Sequence, residues 1–214
     1  MQIGPTSPDT ISSQHGFGSD QWGRLRYYGL LVLWSATALA GGTMLWSYDK
    51  APGATVANLT NIETRLQQIG LESSQVLVFA HPKCPCTAAT LEQLRQLTFP
   101  SEVRLTIFFF VPAEADASWH DTKNVRLAQQ IPQATIEFDR EGELSRRIGV
   151  KTSGHCLAVR ADGSIGFSGG ITISRGHRGP NQGASDLTHC FARSSVTAEY
   201  PVYGCALFAS TSTN

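Results

Sequence analysis

The sequence predicts an α/β fold, a mixed sheet with helices on both faces, preceded by one N-terminal transmembrane helix. Three observations carry this. Residues 29–46, GLLVLWSATALAGGTMLW, contain no charge. From residue 56 to residue 192, segments with helical spacing alternate with short β-rich apolar runs. Two of the last runs flank Ala161-Asp162-Gly163, a hairpin turn signal. Alternating units followed by a hairpin build a sheet of mixed direction covered on both sides.

Composition sets the limits. The chain has 214 residues, 41% hydrophobic and 16% charged, which is enough apolar material for one core plus an appendage. Lys and Arg number 17 and so do Asp and Glu, so no net field draws it to nucleic acid or acidic lipid. Five cysteines are too few for a disulfide-dense miniprotein, and an odd number cannot all pair within one chain. A nucleic-acid binder, a disordered protein and a polytopic membrane protein are poor fits.

Residues 1–28 are rich in Ser, Gly, Gln and Pro and read as a disordered cytoplasmic lead. Residues 29–48 read as the anchor, since eighteen uncharged residues are about the minimum for a bilayer core of roughly 30 Å. Tyr27, Tyr28, Trp46 and Tyr48 stand where interfacial aromatics belong. Arg24 and Arg26 precede the run, while Asp49 and Lys50 cancel after it, so the N-terminus is expected inside and the remainder outside. Ala38-Leu39-Ala40 offers the alternative of a cleaved signal peptide, and both alternatives export the rest.

A linker at 49–55 leads into the domain at 56–214. A helix is expected at 56–71, a strand at 75–80 (QVLVFA) and a helix at 87–97. The strongest strand signal is 103–111 (VRLTIFFFV), whose nearly unbroken apolar run suggests a central strand covered on both faces. Then follow a helix at 120–131, a strand at 134–138, a helix at 142–148, strands at 156–160 and 164–169, a short helix at 183–192 and a C-terminal tail.

The residues that carry chemistry lie in VFAHPKCPCTAATLEQL, residues 78–94. The strand ends at Ala80. Pro85 suits the first helical position, where its missing N–H costs nothing, and it pushes Cys84 out of the α region, making Cys84 a natural N-cap. Cys86 then falls in the first turn, under unpaired amides and the positive end of the dipole, with Lys83 adding a cation. Such surroundings lower a thiol pKa and supply a thiolate for redox or metal chemistry. Residues two apart on a helix point about 200° apart, so a Cys84–Cys86 bridge is expected to be strained.

A strand leading into a cysteine-bearing helix N-terminus, within this element order, resembles the thioredoxin fold over roughly residues 56–192. The combination of HPKCPC (81–86), FSGGIT (167–172), SRGHRGPNQG (174–183) and YGCAL (203–207) resembles RedB-type proteins, bacterial relatives of thioredoxin that are exported or membrane-anchored. The resemblance implies a thioredoxin-like mixed sheet and a redox role. Two departures stand out. Cys84-Pro85-Cys86 replaces the usual Cys-x-x-Cys, and Gly154 occupies the position of the cis-proline that faces the cysteines in the family.

Two functions are therefore expected in competition. The first is an exported, membrane-tethered thiol–disulfide oxidoreductase in the cytoplasmic membrane of a bacterium, needing no cofactor. Cys84 or Cys86 would be the nucleophile, the other or Cys205 would resolve the mixed disulfide, and His81 or His177 would move protons. A redox partner protein is implied, its identity unknown. The second is a Cu(I) or Zn(II) binding or delivery module using Cys84, Cys86 and Cys205, with His81, His155 or His177 as further donors and a metal recipient as partner. A third possibility is a scaffold whose cysteines only brace it. Pro82 belongs with the cysteine motif. Arg175, His177, Arg178 and Asn181 fill a glycine-rich loop that suits anion or substrate recognition, or else is a self-bonded surface loop; it lacks the P-loop pattern. Cys156 and Cys190 are expected to be buried thiols or one structural pair.

Overall fold

The computed structural model describes residues 19–54, 59–70, 73–192 and 197–208. It divides into two units between Trp46 and Ser47. The first unit is helix α1 (Ser19–Lys50) as far as Trp46. Leu33, Trp34, Leu39 and Leu45 are all exposed along it, so it is no buried core helix. It is long and apolar enough to cross a membrane, a property an anchor and a signal sequence share. The lead is corrected at its C-terminal end: residues 19–28 are helical, because extending a nucleated helix through Trp22, Leu25, Tyr27 and Tyr28 adds a hydrogen bond for each residue fixed. Residues 1–18 lie outside the described residues. Asp49 and Lys50 also belong to α1, which shortens the expected linker.

The second unit holds a six-stranded sheet ordered β3-β2-β1-β4-β5-β6. In chain order its elements are α2 (Leu59–Gln68), β1 (Gln75–Ala80), α3 (Pro85–Leu94), β2 (Arg104–Val111), α4 (Lys123–Ala128), β3 (Ala134–Arg140), α5 (Glu143–Ile148), β4 (His155–Val159), β5 (Ile165–Gly169), α6 (Gln182–His189) and β6 (Ala198–Glu199). Strands β1, β2 and β3 are parallel, β4 is antiparallel to β1, β5 is antiparallel to β4, and β6 is parallel to β5. This mixed sheet is consistent with a thioredoxin-like fold.

Strand alternation builds two cores. Val76, Val78 and Ala80 of β1 face Leu91 and Leu94 of α3, Val125 of α4 and Leu187 of α6. Leu77 and Phe79 face the other way, toward Ile62 and Leu66 of α2 and Ile148 of α5. Helices therefore cover both faces. One expectation needs correction: β2 is fully covered on one face only, leaving Thr106, Phe108 and Phe110 half-buried, whereas β1, β4 and β5 are buried at every position. The two-residue β6 gives no periodicity to read, and only its pairing with Phe167 and Ser168 defines it.

One product of this packing is testable. His155 opens β4 fully buried, with Nε2 against the Ser168 hydroxyl at 3.1 Å and Nδ1 unpaired among the described residues. Burial drives its pKa down from 6.5 to about 4. A histidine kept neutral in the fold but protonated in the unfolded chain gives full stability above about pH 6.5 and loses it as pH falls toward 4, by about 3 kcal/mol. Urea unfolding of the full chain in detergent at pH 7 and pH 4 should show this loss, and His155→Gln should shrink it. An identical pH dependence in the variant would refute the assignment.

Candidate functional site

Parallel β1 ends at Ala80, and antiparallel β4 begins beside it at His155. The loops at 81–84 and 149–154 therefore meet at one end of the sheet. In the first, Cys84 is the N-cap of α3 in an extended conformation (φ −86, ψ 123), with Pro85 at the first helical position, as the sequence predicts. The second is fixed by Gly154, whose N–H donates to the Phe79 carbonyl at 2.7 Å. Its φ of +89 favours glycine, and a Cβ there would stand 2.9 Å from Thr90 Oγ1. Gly154 thus packs on α3.

The C-terminal tail crosses this end of the sheet. The Gly53 amide donates to the Val202 carbonyl, Ser153 to Cys205 and Leu207 to Lys151, at 2.7, 2.8 and 2.8 Å, and Thr152 bridges Ala206 in antiparallel fashion. Val202 and Leu207 are buried and pin it. Arg175 Nη1 donates to the Gly204 carbonyl at 2.6 Å. The tail so held sets the Cys205 sulfur 2.7 Å from that of Cys84. This is closer than non-bonded sulfurs pack and longer than the about 2.05 Å of a covalent bridge. The Cys86 sulfur completes a cluster in which all three lie within 4.8 Å of one another.

The three thiols are electrostatically unequal. Burial pushes Cys84 up, but hydrogen bonds from the Cys205 thiol and amide and from the Thr87 amide and hydroxyl outweigh it, so its pKa is lowered. Cys86 is raised, by burial and then by the charge and hydrogen bond of Cys84, with Arg175 opposing. Cys205 is pushed up to about 12, by burial and then by Cys84. Of the three thiols, Cys84 is therefore the one that ionises most readily.

Other expected residues take different roles. His81 donates its backbone N–H to Ser153 Oγ at 2.8 Å, and its ring stacks on Phe110 at 5.7 Å. Burial and then Lys83 lower its pKa. Lys83 turns its ammonium to Trp119, 4.1 Å from the ring centroid, and to the Ser118 hydroxyl at 3.5 Å. Pro82 is buried, and its carbonyl accepts from Asn124. Arg175 reaches the site, yet its neighbours do not. His177 bonds Ser174 and pairs with Asp49 at 3.3 Å, Arg178 pairs with Glu92, and Asn181 caps α6 by accepting from the Ala184 amide at 2.8 Å. His155 is enclosed in the sheet and does not belong to the three-thiol cluster. Cys156 and Cys190 are free and buried, pushed by burial to about 12 and about 11.

Three supporting residues have no sequence signature. Asn124 Nδ2 donates to the carbonyls of Pro82 and Cys84 at 3.0 and 2.8 Å, fixing the loop that presents the thiol. Thr87 and Ser153 share a hydroxyl hydrogen bond of 2.7 Å that ties α3 to the 149–154 loop.

No family model matches the chain, and a search of curated proteins finds no match. Among solved structures, it is similar to an uncharacterized conserved protein from Geobacillus kaustophilus, at 14% identity over 77% of this chain and 92% of that one, with a TM-score of 0.47. A hypothetical protein from Sinorhizobium meliloti is similar at 11% identity over 74% and 91%, also with a TM-score of 0.47. A secreted Mycobacterium tuberculosis disulfide oxidoreductase, described as homologous to E. coli DsbE, is similar at 19% identity over 56% and 81%, with a TM-score of 0.38.

Proposed function

We propose that the chain is a thiol–disulfide oxidoreductase in which Cys84 supplies the thiolate and Cys205 is its bonding partner. The observation that carries this reading is the 2.7 Å contact of the two sulfurs, one with a lowered pKa and the other held against it by a paired tail. Cys86, in the first turn of α3, is the third thiol and a route to an alternative bridge. The RedB-type likeness of residues 81–86 and 203–207 belongs with this reading. So does tethering by α1 in the cytoplasmic membrane of a bacterium, N-terminus inside and the cysteine domain outside, where disulfides persist. The chemistry is thiol exchange alone and needs no cofactor, but it does need a redox partner protein.

Titrating the full chain against glutathione couples, with differential alkylation and mass mapping of each cysteine, tests this. The expected outcome is a reversible Cys84–Cys205 bridge that titrates more oxidising than about −230 mV. If no reversible pair contains Cys84, the reading fails.

A second reading rests on the cluster itself. Three thiolates around one metal at about 2.3 Å stand about 4 Å apart, so a Cu(I) or Zn(II) binding or delivery module suits the same three residues once Cys84 and Cys205, 2.7 Å apart here, separate to that distance. It excludes the bridge, since oxidation consumes two of the ligands. The reduced chain would then take up one equivalent of metal anaerobically, and Cys205→Ser would lose it. A chain that takes up none overturns this second reading.

A further inference from the structure

Behind Cys205 lies a cavity of about 790 Å³ whose chemistry the thiols alone do not explain. Its walls include Tyr48, Phe208 and three cations, Arg146, Lys151 and Arg175, and Cys205 is the one cysteine lining it among the described residues. No carboxylate lines it, and none of the three cations makes an ion pair among the described residues. Arg146 lies over the Phe208 ring at 3.9 Å and Arg175 over Tyr48 at 4.9 Å, so both guanidinium groups are braced by aromatic faces. Arg175 lines the cavity, and its Nε is buried with no hydrogen-bond partner among the described residues. Buried unpaired donors are costly, and three unneutralised cations around one concavity raise the local concentration of anions.

We propose that this cavity is the binding site of a small thiol carrying carboxylates, which exchanges electrons with the protein through Cys205. The proposal rests on the oxidoreductase reading above and names its small-molecule substrate class. Because Cys205 lines the cavity and Cys84 does not, an incoming thiolate held there meets the Cys205 sulfur first. It attacks that sulfur, a bond forms between the small thiol and Cys205, the Cys84–Cys205 bond breaks, and its electron pair leaves on Cys84. A second small thiolate then attacks the small-molecule sulfur of the mixed disulfide. This releases the small disulfide and the Cys205 thiolate, which takes a proton from water. Two electrons pass from two small thiols to the cysteine pair, and the reverse sequence oxidises it.

The test uses the oxidised full chain in detergent and three reductants: glutathione, which is anionic, 2-mercaptoethanol, which is neutral, and cysteamine, which is cationic. Rates of Cys84–Cys205 reduction are followed by rapid alkylation and mass mapping at low and high salt, for the native chain and for Lys151→Glu. Lys151 is exposed and makes no side-chain hydrogen bond among the described residues, so the exchange reverses a wall charge without cutting into the core. Taking the native-to-variant ratio for each reductant cancels its intrinsic reactivity. The expected result is a glutathione ratio about tenfold above the cysteamine ratio at low salt, shrinking as salt rises, with 2-mercaptoethanol between them. Lys151→Gln should shift the ratios in the same order by less. Equal ratios for the three reductants would overturn the cavity proposal and leave the redox reading standing. If no reductant acts because no Cys84–Cys205 bridge forms, both readings fall. Equal ratios together with salt-sensitive, Lys151-dependent binding to vesicles of anionic phospholipid would overturn the proposal and assign the cations to a membrane surface.

Discussion

Replacing Cys84 by serine is expected to slow thiol–disulfide exchange by the chain at pH 7 on the order of 10²-fold or more, whereas Cys86→Ser should cost less than about fivefold. The attacking species is the thiolate, and Cys84 alone of the three has its pKa lowered. With Cys205 at about 12, its thiolate fraction at pH 7 is negligible. The loss stays near 10²-fold, short of the several decades this would imply, because deleting Cys84 also deletes the negative neighbour that helps raise Cys86 and Cys205. The pH profile separates this from simple damage. The native rate should level off below the usual thiol range, because a lowered pKa saturates the thiolate early. The residual rate of Cys84→Ser should still climb with pH beyond that point. Equal losses for the two serine variants, or a variant profile that levels off with the native one, would remove Cys84 from the role of nucleophile.

Why Cys84 and not Cys86 has the lowered pKa is only half legible in the sequence. The strand–Cys–Pro–helix junction can be read because its determinants are local: Pro85 fixes the first helical position, and the residue before a proline is extended. That places both cysteines at one helix start without ranking them. The ranking comes from Cys205, which is 121 positions from Cys84 in the chain, and from Thr87, and no local pattern reports a contact of that span. Asn124, Ser153 and Thr87 were invisible for the same reason. A lone Asn within an amphipathic helix looks like any polar position until the loop it clamps is beside it. The glycine-rich loop points at Arg175, His177, Arg178 and Asn181 together, because composition identifies a loop but not where each side chain turns. Arg175 reaches the tail, while Asn181 is spent on the α6 cap and His177 on Ser174 and Asp49. The alternation of helices and strands is legible because burial on two faces enforces it, and β6 is not, because two residues have no period.

The tail, then, makes the pair, and Gly204 is where that dependence can be broken with one methyl group. A Cβ at Gly204 would overlap the carbonyl oxygen of Ser153 and press on Thr152 Cγ2 at 3.3 Å. The Ser153 side cannot yield cheaply, since its hydroxyl is bonded to His81 and Thr87 and the next amide to Phe79. The tail is the partner that must lift, giving up the Ser153–Cys205 and Arg175–Gly204 hydrogen bonds. Cys205 would then meet Cys84 only as the end of a flexible strap, at the millimolar effective concentration of a short linker instead of the far higher value of oriented groups. In Gly204→Ala the equilibrium constant for the Cys84–Cys205 bridge against glutathione should therefore fall by about 10²-fold, an upward shift of about 60 mV in its potential, with the sheet still folded. Circular dichroism checks the fold, and the glutathione titration reads the shift. The same variant should weaken metal uptake if the cluster holds a metal, because either chemistry needs Cys205 delivered by the tail. A Gly204→Ala chain with an unchanged potential would mean that the paired tail does not set the proximity of the two sulfurs, and Cys205 would lose its standing as the partner of Cys84.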